Sequence, residues 1–155
     1  MKLTSAVLAA GAAVSLATAV VGAARLRQDA RHQAERNEAL LAGNQLDWLA
    51  HMSTNPDLAE LWKPEDMEAD EYMQLMSANR LICTLSLRDR LGFVPNGHLP
   101  FLASWIMQSD VSRRYWKRFG DLRAQEAEGD KRAEHFTRVL DQAAKNHPQA
   151  QPTAA

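Results

Sequence analysis

The residues whose types and spacing could do chemistry lie between Arg113 and Phe119. There Arg113-Arg114-Tyr115-Trp116-Lys117-Arg118-Phe119 interleaves four cations with three aromatic rings. Cationic groups beside aromatic faces can grip phosphate backbones, stack on bases or rest on anionic headgroups. A plainer reading uses the same residues. Val111, Tyr115, Phe119 and Leu122 recur at the spacing of a packed helical face, with Arg and Lys stems flanking it. The spacing favours the plainer reading, and Arg113, Arg114, Lys117 and Arg118 stand beside it as a candidate anionic-surface patch.

Other reactive residue types are scattered. Glu65, Asp66, Glu68, Asp70 and Glu71 form an acidic run that could hold a divalent cation. No His or Asn shares its face, however, and such a run suits the positive end of a helix dipole. The histidines, His32, His51, His98, His135 and His147, form no pair at helical spacing. Glu134, His135 and Arg138 are the most metal-like local group, but adjacent helical residues point apart. Cys83, the only cysteine, reads as a small buried hydrophobe rather than a nucleophile, and it excludes an intramolecular disulfide. No phosphate-cradling loop, dinucleotide fingerprint or nucleophile elbow is present. The sequence therefore points to no catalytic, cofactor-binding or metal-ligating residue, and to no cofactor.

The elements that must position these residues begin with a membrane-length segment. Leu3 to Ala24 is 22 residues without a charge. As a helix it rises roughly 33 Å, against a hydrocarbon core of about 30 Å. Its seven Leu and Val contribute about −2 to −4 kcal/mol to insertion, before Ser, Thr and Gly subtract from that. Lys2 precedes it, and Arg25, Arg27, Arg31 and Arg36 follow. That bias predicts a single-pass anchor at the cell membrane, with the C-terminal body cytoplasmic. A secretory signal cleaved near Ala24, releasing a secreted helical domain, is the rival reading.

The rest of the chain carries 17 Lys and Arg against 19 Asp and Glu, and so lacks the basic excess of a general nucleic-acid binder. It has no period-2 run and few β-branched residues, which predicts an all-α fold: the N-terminal helix continuing into a bundle of about five further helices. Residues 25–54 form a long helix or stalk, with Leu26, Ala30, Ala34, Leu41, Trp48 and Met52 on one face and its last third buried. Residues 55–146 form the bundle. Asn55 caps a short helix opened by Pro56, and Pro64 opens a central helix running to about Leu91. On that helix Tyr72, Leu75, Met76, Ala78, Leu81, Ile82, Cys83 and Leu85 spread over more than half the circumference. Asn79 and Ser86 lie within the apolar arc as buried structural polar groups that need partners. Gly92 ends the helix. A short helix, Phe101 to Gln108, lays Leu102, Trp105 and Ile106 over the central one. Ser109 caps the next, which runs to about Glu128, and Gly129-Asp130 opens the last, burying Phe136, Val139 and Leu140. Residues 147–155 read as a disordered tail.

At Leu61-Trp62, Pro64-Glu65, Tyr72, Asn79-Arg80 and Arg113-Arg114-Tyr115-Trp116 the chain resembles a family of small actinobacterial proteins of unknown function, common in streptomycetes. The resemblance covers most of residues 25–145 and implies a hydrophobic N-terminus, a helical domain and a bacterial, membrane-associated setting. It brings no activity, ligand or catalytic residue. Together these readings predict a membrane-anchored interaction module that binds another protein or itself. Secretion, or binding of anionic lipid or nucleic acid through residues 113–118, are the alternatives.

Overall fold

A computed structural model describes the backbone of residues 2–147 and the side chains of residues 24–147. Among the described residues there are six helices and no strand: α1 (Lys2–Met52), α2 (Pro56–Trp62), α3 (Ala69–Arg90), α4 (Leu99–Met107), α5 (Asp110–Glu126) and α6 (Lys131–Asn146). The chain divides into two compact units, residues 1–40 and residues 41–155.

In the first unit every side chain from Ala24 to Asn37 is exposed, Leu26 among them. Local contacts one turn apart, such as Gln33 Nε2 to Asn37 Oδ1 at 3.1 Å, are what this stretch of helix offers its own side chains. Among the described residues no helix is long and apolar enough to cross a membrane. The predicted anchor is Leu3–Ala24, and all of its side chains but that of Ala24 lie outside those described.

The second unit contains the core. Leu49 and Met52, at the end of α1, are buried in it, but Leu41 and Trp48 stay exposed. The last third of α1 therefore buries one narrow edge rather than the broad face that periodicity suggests. The next boundary follows its sequence signals: Asn55 Oδ1 accepts the Leu58 amide at 3.0 Å, and Pro56 takes the first helical position.

The start of α3 departs from the sequence reading. Pro64 does not open it. The Met67 amide instead donates to the Pro64 carbonyl at 3.1 Å, and Lys63 Nζ donates to the Met67 carbonyl at 3.0 Å. This turn drives Met67 into the core, and α3 begins only at Ala69. Burying a methionine contributes roughly 1.5–3 kcal/mol, which outweighs the local preference for a helix at Pro64. At the other end, Phe93 N–H reaches Arg88 O at 2.8 Å and Gly92 N–H reaches Asp89 O at 3.0 Å. Gly92 takes φ +77° to close that pattern.

Around α3, α2 and α5 are the principal neighbours; α5 packs on α6, and α6 on α4. The expected cover of α3 by α4 is thus mostly replaced by α4 on α6. Leu99, Ala103, Ile106 and Met107 make the buried face of α4, which leaves Trp105 exposed and Leu102 half-buried. On α6, Phe136, Leu140 and Ala143 are buried at helical spacing, with Val139 half-buried beside them. Asp130 Oδ1 caps α6, accepting the Arg132 and Ala133 amides at 3.0 and 3.2 Å. Ser109 sits at the start of α5 in extended backbone, but its hydroxyl makes no capping bond. Of the predicted tail, residues 148–155 lie outside the described residues. His147 is ordered against Ser104, with Nε2 2.8 Å from Oγ.

Candidate functional site

Two places gather the polar chemistry of the second unit. The first is an inward-facing network between α3 and α5. Asn79, expected to be buried, is half-buried, as is Ser86. The Asn79 amide oxygen accepts from three donors: Tyr115 Oη at 2.9 Å, Arg123 Nη2 at 2.5 Å and Cys83 Sγ at 3.3 Å. Arg123 ties the group together. Its Nε donates to Tyr115 Oη at 3.0 Å, its Nη1 to Glu126 Oε2 at 2.9 Å, and its Nη2 also lies 3.3 Å from Cys83 Sγ.

The protonation states follow from these contacts. Burial presses the Arg123 guanidinium towards neutrality, but Tyr115, Cys83 and Glu126 more than offset it, and the pKa rises. Burial pushes the Cys83 thiol and the Tyr115 phenol up, with Arg123 pulling each back only in part. Cys83 is thus a thiol rather than a thiolate at neutral pH, a poor nucleophile. Three side chains converge on one amide oxygen, and none of them is left as a reactive nucleophile. The network sets the register of α5 on α3. Asn79 stood out in the sequence because it interrupts an apolar arc. Arg123 did not, and Tyr115 read only as part of a packed face, because their shared partner lies up to 44 positions away.

The two charge runs seen in the sequence meet each other. Arg118 holds Asp66 with two nitrogens, at 2.8 and 3.1 Å, and Arg114 reaches Glu71 at 3.2 Å and Gln74 at 2.9 Å. Arg118 lowers the Asp66 pKa through its hydrogen bonds. Arg113 turns back instead, donating to the last carbonyls of α4, Met107 O at 2.8 Å and Gln108 O at 2.7 Å. Three of the four candidate patch residues therefore have partners within the chain, and Lys117 stands apart from them. Of the aromatic residues, Tyr115 and Trp116 are buried and Phe119 is half-buried; the aliphatic Leu122, expected on the packed face, is exposed. Among the described residues no group of three His, Cys, Asp or Glu could hold a metal.

The second place is a groove of about 680 Å³ between α5 and α6. Trp116, Gly120, Ala124 and Ala127 line its apolar part, and Lys117, Asp121, Glu134, Arg138, Asp141 and Lys145 its polar part. The notch exists because α5 presents small residues where it faces α6. Sequence reading missed it, since Gly120 registered only as a weak point in a helix.

A family profile matches residues 2–155. The chain belongs to DUF6082, a family of unknown function. No curated protein and no solved structure matches this DUF6082 chain. The resemblance read from the sequence thus reduces, on what is shown, to membership of DUF6082.

Proposed function

We propose that the protein is a single-pass membrane protein whose cytoplasmic helical body is an interaction module for another protein or a second copy. The reading is carried by a surface of large apolar side chains left in solvent. Trp48 of α1 and Trp62 of α2 meet edge to face, with ring centroids 5.9 Å apart, yet are 43 % and 59 % exposed. Leu61 and Leu41 are more exposed still. Tryptophan is the residue most enriched at the energetic centre of protein interfaces, and clustered exposed apolar groups mark contact surfaces.

Placement rests on the sequence. The uncharged run Leu3–Ala24 has the length of one crossing, and the trailing arginines hold the body on the cytoplasmic side. The bacterial, membrane-associated setting is the one that the resemblance to small actinobacterial proteins suggests.

Cell fractionation of a tagged full chain tests the anchor: it stays with the membranes after alkaline extraction, with residues 1–24 intact by mass spectrometry. A mature chain beginning near Arg25 in the culture medium would sink it. A photo-crosslinking residue at position 62 tests the module. It forms discrete adducts in membranes, whereas the same residue at the exposed position Glu128 does not. Equal labelling at both sites would remove the interaction reading.

A further inference from the structure

We infer, resting on the interaction reading above, that the partner seated on the Trp48–Trp62 surface is a basic amphipathic segment of another protein. Charge is spread unevenly over the second unit. Residues 41–71, which carry Trp48, Leu61 and Trp62, hold eight Asp and Glu against one Lys, a formal charge of −7. Residues 72–147 hold 12 Lys and Arg against eight acids, a formal charge of +4. Part of the difference cancels where the two stretches meet, since Arg118 holds Asp66 and Arg114 holds Glu71. Within the first stretch, Lys63 lies 3.4 Å from Glu60.

What is left over borders the exposed tryptophans. Asp47 adjoins Trp48, Asp57 precedes Leu61 by one turn of α2, and Glu65 follows Trp62 by three residues. All three are exposed and have no ion-pair partner among the described residues. An apolar centre with a charged rim is the anatomy of a contact surface, and the sign of the rim selects the partner. A negative rim favours a cationic segment whose apolar side covers the indoles, as an amphipathic helix does. The same rim disfavours other occupants. A symmetric contact between two copies would set each acidic rim against its own kind. The arginine-rich stretch of a second copy's α1, residues 25–36, has Leu26 as its only large apolar side chain, too little to cover two indoles. An anionic leaflet would be repelled.

The full chain in dodecyl maltoside, with a photo-crosslinking residue at position 61 so that both tryptophans are kept, provides the test. The probes are three biotinylated peptides of equal length: a Leu/Lys amphipathic helix, a Leu/Glu helix with the same apolar face, and a Ser/Lys peptide with the lysine pattern of the first. The Leu/Lys helix forms adducts saturably at position 61 and not at Glu128, and binds about tenfold more tightly than either of the others. The triple variant Asp47→Asn/Asp57→Asn/Glu65→Gln weakens it by about fivefold or more, with an unchanged circular dichroism spectrum. Added salt weakens binding to the unaltered chain as well, a readout that does not depend on how the variant folds. A basic amphipathic partner is excluded if the Leu/Lys helix gives no adducts, if the Leu/Glu or Ser/Lys peptide binds as tightly, or if salt and the triple variant leave the affinity unchanged. Position-61 adducts in cell membranes that join two copies of the chain would also exclude it, while leaving the interaction reading intact. Labelling in those membranes that is no different at positions 61 and 128 removes both.

Discussion

Arg123 Nη2 and Asn79 Oδ1 lie 2.5 Å apart and join α5 to α3 across 44 residues of sequence. The guanidinium side chain is mostly buried, so its hydrogen bonds are formed largely out of water. Bonds to charged groups contribute about 1.5–3 kcal/mol each, and a desolvated partner left behind adds a penalty. Arg123→Ala is therefore expected to destabilise the second unit by about 2–3 kcal/mol. Asn79→Ala costs a comparable amount, and the double variant costs clearly less than the two together, with coupling above about 0.5 kcal/mol. Urea unfolding of the four proteins measures this. Strict additivity would show that the contact does not couple the helices.

Cys83 should react slowly in the folded protein. Burial raises its pKa above the ordinary 9.0, and the nearby Arg123 charge only partly compensates. At neutral pH, iodoacetamide labelling is expected to be much slower in the native chain than in urea, and to rise only in strongly alkaline buffer. Rapid native labelling at neutral pH would mean that the thiol is a thiolate.

Asp130 links stability to acid. The Ala133 and Arg132 amides, then the Arg90 and Arg132 charges, hold its pKa below the ordinary 3.8. A depressed carboxyl contributes stability that is fully present above its unfolded pKa. That contribution is lost as pH falls through the folded value. The melting temperature should thus drop below about pH 4, and Asp130→Asn should flatten the drop while keeping the helix cap. Asp66, lowered by Arg118, leaves a residual slope. An unchanged slope in Asp130→Asn would exclude Asp130 as a source.

Leu140 and Trp62 should separate folding from recognition. Leu140 is fully buried, and Leu140→Ala is expected to cost about 2–5 kcal/mol. Trp62 is larger but mostly exposed, so Trp62→Ala should change stability by less than about 1 kcal/mol. Crosslinking through the neighbouring position 61 should fall in Trp62→Ala. The reverse ranking in urea would place Trp62 in the core.

Local signals were the most legible part of the fold. Asn55-Pro56, Gly92 and Gly129-Asp130 each act within one turn of the chain, and each marks a boundary in the structure. Pro64 misled because the burial of Met67, a tertiary effect, decided the outcome. Periodicity found the faces carrying Trp48, Trp105 and Leu122 but not whether another helix covers them, and none of the three is buried. The charge runs around residues 66–71 and 113–118 were visible, and their mutual pairing was not, since pairing depends on how α3 and α5 cross. The groove was invisible for a related reason: it is defined by missing side chains on one helix opposite another.

Trp116 also couples two properties that most proteins keep separate. The same indole that fills space in the bundle is the wall against which any occupant of the cleft must rest, and Gly120 leaves it just enough room. A bulkier residue at position 120 would displace the ring, reshaping the cleft and loosening the interior in one move. Diversification of this pocket is therefore channelled into positions such as Lys117, Ala124 and Arg138, which can change without disturbing the scaffold.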